Sequence, residues 1–190
     1  MEQEQTLNPK ESLALITDVI SKTKESINEH SFIFLLWGWF LATASIIRFM
    51  LTYFTDFKYS FLPFPILSLV ALTISIVFYT RKKTTHAETY LSFFIKRLWL
   101  GIMLGMIFMV FASVNQNIQP SIYTLILGGV GTVVTGMVLK FKPLQVGGIF
   151  FLLSSVVCCF IIDDYKFLIV GVAIIPGYLI PGYLLKNVKV

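Results

Sequence analysis

Few residues in this chain have the types and spacing that catalysis needs. The two histidines, His30 and His86, are far apart in the sequence, and neither lies deep in an apolar run. The motifs of zinc proteases, serine hydrolases, phosphate-binding loops and dinucleotide-binding folds do not occur. We therefore predict no catalytic residue, no cofactor and no metal site, and we expect that the protein is not an enzyme.

Two pairs of neighbouring reactive side chains have simple structural explanations. Cys158 and Cys159 are adjacent in an apolar run, where a thiol stays inert, and neighbouring cysteines rarely form a structural disulfide. Asp163 and Asp164 share a short turn, and two carboxylates without further ligands make a weak cation site. We expect the cysteines to be packing residues and the aspartates to be solvated.

A repeated Pro-Gly segment near the end of the chain is the strongest sign of irregular backbone. The sequence Ile-Pro-Gly-Tyr-Leu occupies 175–179 and recurs at once at 180–184. Each proline removes a backbone donor and obstructs the preceding helical turn, so the helix should kink or partly unwind. Such breaks are either structural or, as in transporters, part of a binding site or gate. The candidate kink or gate residues are Pro176, Gly177, Pro181 and Gly182.

The elements that carry these residues are membrane-spanning helices. The chain has 190 residues, of which 56% are hydrophobic and 13% charged, against about 25% charged in soluble domains. Apolar runs of about 20 residues recur, and each is long enough to cross a hydrocarbon core of about 30 Å. We predict an all-α membrane protein, with a cytoplasmic N-terminal segment (1–30) and a six-transmembrane-helix bundle (31–190). The predicted spans are 32–53, 61–80, 92–114, 121–139, 144–162 and 167–185.

The distribution of basic residues predicts the orientation of this bundle. With a cytoplasmic N-terminus, twelve of the 15 Lys and Arg residues lie inside, and Arg48, Lys58 and Lys166 lie outside. Cytoplasmic loops are enriched in Lys and Arg, so both termini should be cytoplasmic. The polar N-terminus has no cleavable signal peptide pattern. The expected location is the bacterial cytoplasmic (inner) membrane, with the lipid bilayer as the first partner.

The N-terminal segment predicts an amphipathic helix at about 9–29. Asn8 suits the cap position and Pro9 the first helical turn. No proline or glycine follows before Gly38, so this helix could continue straight into the first span. Its apolar stripe either caps the protein's own cytoplasmic face or docks a partner protein or a second copy. The candidate docking residues are Leu13, Ile16, Ile20 and Ile27.

Two short motifs resemble a known family. The segment 11–16 (ESLALI), followed by 35–39 (LLWGW) at the start of the first span, is similar to a family of uncharacterised small bacterial multi-pass membrane proteins. The resemblance covers roughly 11–50. It implies an N-terminal amphipathic helix and several spans, with no established activity or assigned site. It also implies an association with signalling or stress responses, because members are often encoded beside small winged-helix regulators.

Small residues at four-residue spacing mark candidate helix contacts in the third and fourth spans. Small side chains let helix backbones approach closely in lipid. These contacts lie either within the chain or between two copies of it. The candidate helix-packing residues are Gly101, Gly105, Gly128, Thr132 and Gly136.

The basic residues between and beside the second and third spans form the densest positive region. We read them as topology determinants and candidate contacts to anionic lipid, with a phosphate-bearing ligand or acidic partner as the alternative. Because they flank apolar runs, no nucleic-acid binding is expected. Arg48, inside the first span, either extends to the headgroups or is buried, paired with an aspartate or a ligand. The candidate lipid contacts are Arg81, Lys82, Lys83, Lys96 and Arg97.

Two functions remain open from the sequence. The first is a non-enzymatic regulatory or scaffold protein that docks a partner or a second copy through its N-terminal helix. The second is a small transporter or channel-like protein that uses the Pro-Gly break. Only the second requires a polar cavity that reaches the interior near Tyr178.

Overall fold

The computed structural model describes the backbone of residues 9–55, 59–81, 90–116 and 118–187, and the side chains within these ranges except at 9–29, 90 and 164. All regular structure in these ranges is helical, as predicted. The helices are α1 (Pro9–Phe54), α2 (Pro63–Arg81), α3 (Tyr90–Asn115), α4 (Ser121–Val138), α5 (Lys142–Cys159), α6 (Asp163–Ile174), a π-helical turn (Ile175–Leu179) and α7 (Ile180–Lys186).

Among the described residues, six helical segments are long and apolar enough to cross a membrane, as many as the spans that the sequence predicts. They fall within a few residues of the predicted ranges, because hydropathy and helix-ending residues are local signals. Prolines stand in the first turns of α1, α2 and α5, where the missing N–H costs no helical bond. The span segments are His30–Phe54, Pro63–Arg81, Leu91–Asn115, Ser121–Val138, Lys142–Cys159 and Tyr165–Lys186.

Helix α1 is one uninterrupted helix of 46 residues. The predicted N-terminal helix and the first span are therefore a single element with no hinge between them. At a rise of 1.5 Å per residue, α1 is about 70 Å long, roughly twice what a hydrocarbon core needs. The predicted docking stripe lies on this helical backbone at 9–29, but its side chains lie outside the described residues.

Helix α1 packs antiparallel to α2 and to the last helix. Trp37 of α1 donates a hydrogen bond to Ser75 of α2, and Phe32 of α1 stacks on Phe78 of α2. Later residues of α1 therefore contact earlier residues of α2, as in an antiparallel pair. The same relation holds between α1 and the last helix. We call the two ends of the bundle the Phe54 end, which includes the starts of α2 and α6, and the Arg81 end, which includes Lys186.

Burial divides the spans into a core and a periphery. Half of the residues in the most apolar window of Tyr165–Lys186 are buried, against 11% in α2 and 11% in α3. The core consists of α1, α4, α5 and the last helix, and the most extensive helix contact is that between α4 and α5. The outer faces of α2 and α3 are large, apolar and exposed, as expected of helices that face lipid.

The turn between α4 and α5 has a left-handed residue at its centre. The N–H of Phe141 donates to Gly136 O at 2.8 Å, and the N–H of Lys140 donates to Met137 O at 3.1 Å. This is the Schellman pattern, which requires a positive φ at the residue after the C-cap. Lys140 has a φ of 51°, in a place where glycine is usual.

Candidate functional site at the contact of the first and last helices

The last helix contains a widened turn where the sequence predicts a kink or unwinding. Residues Ile175–Leu179 are π-helical, and the N–H of Ile180 donates to Ile175 O, five residues back. The π-turn, as we call it, lets the helix continue although Pro176 and Pro181 have no N–H to donate. The irregularity is therefore where the sequence predicts a kink or partial unwinding, and it takes the form of a widened turn in a continuous helix.

Tyr178, in the π-turn, is buried among aromatic rings. Its ring centroid lies 4.8 Å from that of Phe151, 5.6 Å from Phe34 and 6.3 Å from Trp99. Its hydroxyl shares a side-chain hydrogen bond with Thr132. Only 6% of Tyr178 is exposed. Apolar rings thus occupy the place where the transport hypothesis requires a polar cavity.

Glycines on three helices make the close packing around the π-turn possible. A Cβ on Gly177 would collide with the ring of Phe151, and a Cβ on Gly147 would lie 2.6 Å from Pro176 O. A Cβ on Gly38 would lie 2.8 Å from a methyl carbon of Leu179. The π-turn is therefore held between α1 and α5, with almost no free volume at these three positions.

Helix α1 contacts the last helix along most of its span. Near the Arg81 end, the Ser31 hydroxyl donates to Gly182 O at 2.9 Å, and both residues are buried. Further along, Gly171 packs against Ser45. Near the Phe54 end, Arg48 stacks on Phe167. The first and last helices thus form a single continuous contact.

The three tryptophans each join two helices. Besides the bond from Trp37 to Ser75, the indole of Trp99 donates to Thr135 Oγ1 at 3.1 Å, which links α3 to α4. The indole of Trp39 donates to the Tyr183 hydroxyl at 3.2 Å, which links α1 to α7. The sequence suggests only interfacial anchoring for Trp37 and Trp39, because a partner hydroxyl on a distant helix leaves no local pattern.

The predicted packing residues have different surroundings in α3 and α4. Gly128 and Thr132 lie against Tyr178, and a Cβ on Gly136 would lie 2.7 Å from Gln145 N on α5. All three are buried. By contrast, Gly101 is exposed, and no described atom beyond its own helix comes within 4 Å of its Cβ position. A Cβ on Gly105 would have only an ordinary contact with Leu127.

Among the residues that the structure describes, Gly101 therefore has no close contact with another helix of its own chain, and a contact between two copies stays a prediction. The physical reason is the peripheral position of α3. Its principal partner is α4, which it meets through Trp99 and Ile102 on another face. Spacing alone does not distinguish a glycine that faces another helix from one that faces lipid.

The basic residues near the Arg81 end do not gather into one described site. Arg81 is exposed. The Lys96 amine lies 4.9 Å from the ring centroid of Tyr79, and the Arg97 guanidinium lies 5.1 Å from that of Phe93. Lys82 and Lys83 lie outside the described residues. The described cations are spread along this edge, as expected of residues at a membrane surface.

Neither pair of neighbouring reactive residues forms a site with other described side chains. Cys158 is buried and Cys159 exposed, and both are free thiols. Asp163 forms a salt bridge with Lys166 and is mostly exposed, while the Asp164 side chain is not described. Among the described residues, no group of three or more His, Cys, Asp or Glu side chains is placed to hold a metal ion.

No protein-family model, curated protein or solved structure matches the chain. The resemblance to small bacterial multi-pass membrane proteins therefore stays a prediction.

Proposed function

We propose that this is a non-enzymatic regulatory or scaffold protein of the bacterial cytoplasmic membrane, which docks a partner protein or a second copy through its N-terminal helix. One observation carries the proposal: α1 runs unbroken from Pro9 to Phe54. The segment with the apolar stripe at 9–29 and the first span are one helix. An apolar stripe on a helix extending beyond the bundle needs cover, and its mixture of acidic and basic residues disfavours an anionic lipid surface.

The charges at the two ends of the bundle support a cytoplasmic position for the N-terminal helix. Among the described side chains, the Phe54 end has two cations, Arg48 and Lys166. Arg81, Lys96 and Arg97 stand at the other end, together with Lys140, Lys142 and Lys186. The positive-inside rule puts the richer end, and with it α1 residues 9–29, in the cytoplasm.

The contacts of α1 would transmit a movement of its N-terminal part to the rest of the bundle. Helix α1 packs against α2, α6, the π-turn and α7. A partner that tilts or rotates the N-terminal part of α1 would move Ser31 and Gly38, since helix segments without a proline or glycine break bend little. Ser31 is bonded to Gly182, and Gly38 lies against Leu179, so the last helix would respond.

The test is capture of partners by the full chain and by stripe variants, after gentle solubilisation. Ile16→Glu with Ile20→Glu places two charges on the apolar stripe. Ala14→Glu with Ser21→Glu adds the same charges away from the stripe and is the matched control. A second, differently tagged copy in the same cells detects self-association, and mass spectrometry identifies other partners. We expect the stripe variant to lose an association that the control keeps.

The proposal fails if both variants keep every association of the full chain. In that case the N-terminal part of α1 is a structural cap. The alternative function, a small transporter or channel-like protein, has less support because rings of Phe34, Trp99 and Phe151 surround Tyr178. A cavity that opens beside Tyr178 in another conformation would support this alternative function.

A further inference from the structure

Arg48 has an unusual position at the Phe54 end of the contact between α1 and α6. Its guanidinium carbon lies 3.6 Å from the ring centroid of Phe167, and only 4% of Phe167 is exposed. Stacking on an aromatic face orients a planar guanidinium and leaves its edge free for hydrogen bonds. The side chain is therefore held against α6.

Two polar groups of α1 near the Phe54 end have no hydrogen-bond partner. The Arg48 Nε atom is buried without a hydrogen-bond partner, and so is the hydroxyl of Ser45, one turn earlier on the same face of α1. Ser45 has no exposed surface. Buried polar groups in folded proteins nearly always have a partner, so the unsatisfied Arg48 calls for an explanation, whereas Ser45 lies beneath Gly171, out of reach of any ligand.

The described part of the chain does not supply an anion for Arg48. Asp163, a carboxylate at this end, is bonded to Lys166 at 2.5 Å, and 59% of its side chain is exposed. A cation within a membrane segment is costly without a partner, and here that cost is only partly offset by the ring of Phe167. The described residues at this end thus leave room for an anion from outside the chain.

The depth of Arg48 indicates which anion this is. Arg48 stands six residues before the end of α1, about 9 Å along the helix axis. Phe167 lies in the first turns of α6, and Phe64, whose ring is 5.8 Å away, lies in the first turn of α2. The guanidinium is thus near the level where lipid phosphates meet the hydrocarbon. A guanidinium also matches a phosphate with two parallel hydrogen bonds.

We propose that Arg48, oriented by Phe167, binds a phosphate group at the Phe54 end of the bundle. The phosphate belongs either to a phospholipid headgroup or to a free anion in solution. The partly exposed ring of Phe64 suits the apolar part of a lipid, whereas a free phosphate would use Arg48 and water alone. This site is separate from the N-terminal docking surface and does not depend on it.

The test uses the full chain purified in mild detergent, with native mass spectrometry as the lipid readout. Phosphatidylglycerol is the probe, and inorganic phosphate is tested separately by its effect on thermal unfolding. Arg48→Gln is compared with Lys186→Gln, which removes the same charge from an exposed residue at the other end. We expect one phosphatidylglycerol site to weaken about tenfold or more in Arg48→Gln and to be unchanged in Lys186→Gln.

The two sources of phosphate give different results. A lipid site shows Arg48-dependent binding of phosphatidylglycerol with little stabilisation by inorganic phosphate. A free-anion site shows stabilisation by inorganic phosphate that Arg48→Gln abolishes, while lipid binding is unchanged by that variant. Either result supports a phosphate site at Arg48 and identifies its occupant.

Two milder variants keep the test decisive if Arg48→Gln does not fold. Arg48→Lys keeps the charge but loses the planar two-point geometry, and Phe167→Leu keeps Arg48 but loses the ring that orients it. Both should weaken the same site several-fold. The proposal is overturned if both variants bind phosphatidylglycerol and respond to inorganic phosphate as the unmodified chain does.

Discussion

At the scale of single residues, glycines with the same sequence spacing have different roles. Gly136 lies where the backbones of α4 and α5 approach each other, with Gln145 N in the place of a Cβ. Gly101 lies on the exposed face of α3 with open space beside it, among the described residues. A methyl group added at each position should therefore have opposite effects on stability.

Gly136→Ala should destabilise the bundle by about 1–3 kcal/mol, since the backbone of α5 has to move away. Gly101→Ala should be neutral, or stabilise by up to about 1 kcal/mol through helix propensity. Unfolding in mixed micelles, followed by circular dichroism, measures both. Equal destabilisation by the two variants would mean that Gly101 also lies in a tight contact, as it would between two copies.

The indole of Trp99 should contribute to stability through one specific hydroxyl. Trp99→Phe and Thr135→Val each remove a partner of the bond that links α3 to α4. A double-mutant cycle should give a coupling energy of about 0.5–1.5 kcal/mol, the range for hydrogen bonds between helices in membranes. Additive effects would show that the indole bonds something else in the bilayer.

At the scale of elements, the turn after α4 shows how a helix end limits the choice of residue. Lys140 adopts a left-handed conformation so that the N–H groups of Lys140 and Phe141 can bond the carbonyls of the last turn. A side chain in this conformation is strained, because its Cβ crowds the backbone. The approach of α4 and α5 maintains the turn in spite of this strain.

Lys140→Gly should therefore stabilise the protein by up to about 1 kcal/mol, since glycine adopts a positive φ freely. The matched variant is Lys142→Gly, which removes the same charge two residues later but places glycine in the first turn of α5. This control should lower the midpoint of thermal unfolding or leave it unchanged. A lower midpoint for Lys140→Gly would contradict the assigned turn.

The π-turn makes a second prediction at this scale. Gly177→Ala should destabilise by about 1–3 kcal/mol, because the new methyl group takes the place of the Phe151 ring. Phe151→Leu is also destabilising, but it makes room at Gly177. The double variant should lose less stability than the two single variants lose together, as measured by the midpoints of thermal unfolding. Strict additivity would show that the two residues do not meet.

At the scale of the whole molecule, the number and positions of the helices were predictable, and their neighbours were not. Hydropathy shows where each span lies because every span must be apolar on its own. It does not show that Ser31 meets Gly182 or that Arg48 meets Phe167. Lipid and protein interior are similarly apolar, so no hydrophobic stripe marks the buried face of a span.

The orientation of the whole molecule can be tested by labelling single cysteines in intact cells. In a background with Cys158→Ala and Cys159→Ala, Asp163→Cys reports on the Phe54 end and Arg81→Cys on the Arg81 end. A reagent that does not cross the membrane should label only Asp163→Cys, and both should react after lysis. Labelling of Arg81→Cys alone in intact cells would show that the orientation is opposite to the proposed one.

The contact between the first and last helices also sets an order of events during biosynthesis. Helix α1 enters the membrane first, but Gly182, Gly171 and Phe167, which cover Ser31, Ser45 and Arg48, are translated last. Until the last helix is made, these polar side chains of α1 face lipid or other molecules in the membrane. A chain that stops before α6 would leave these three side chains of α1 uncovered.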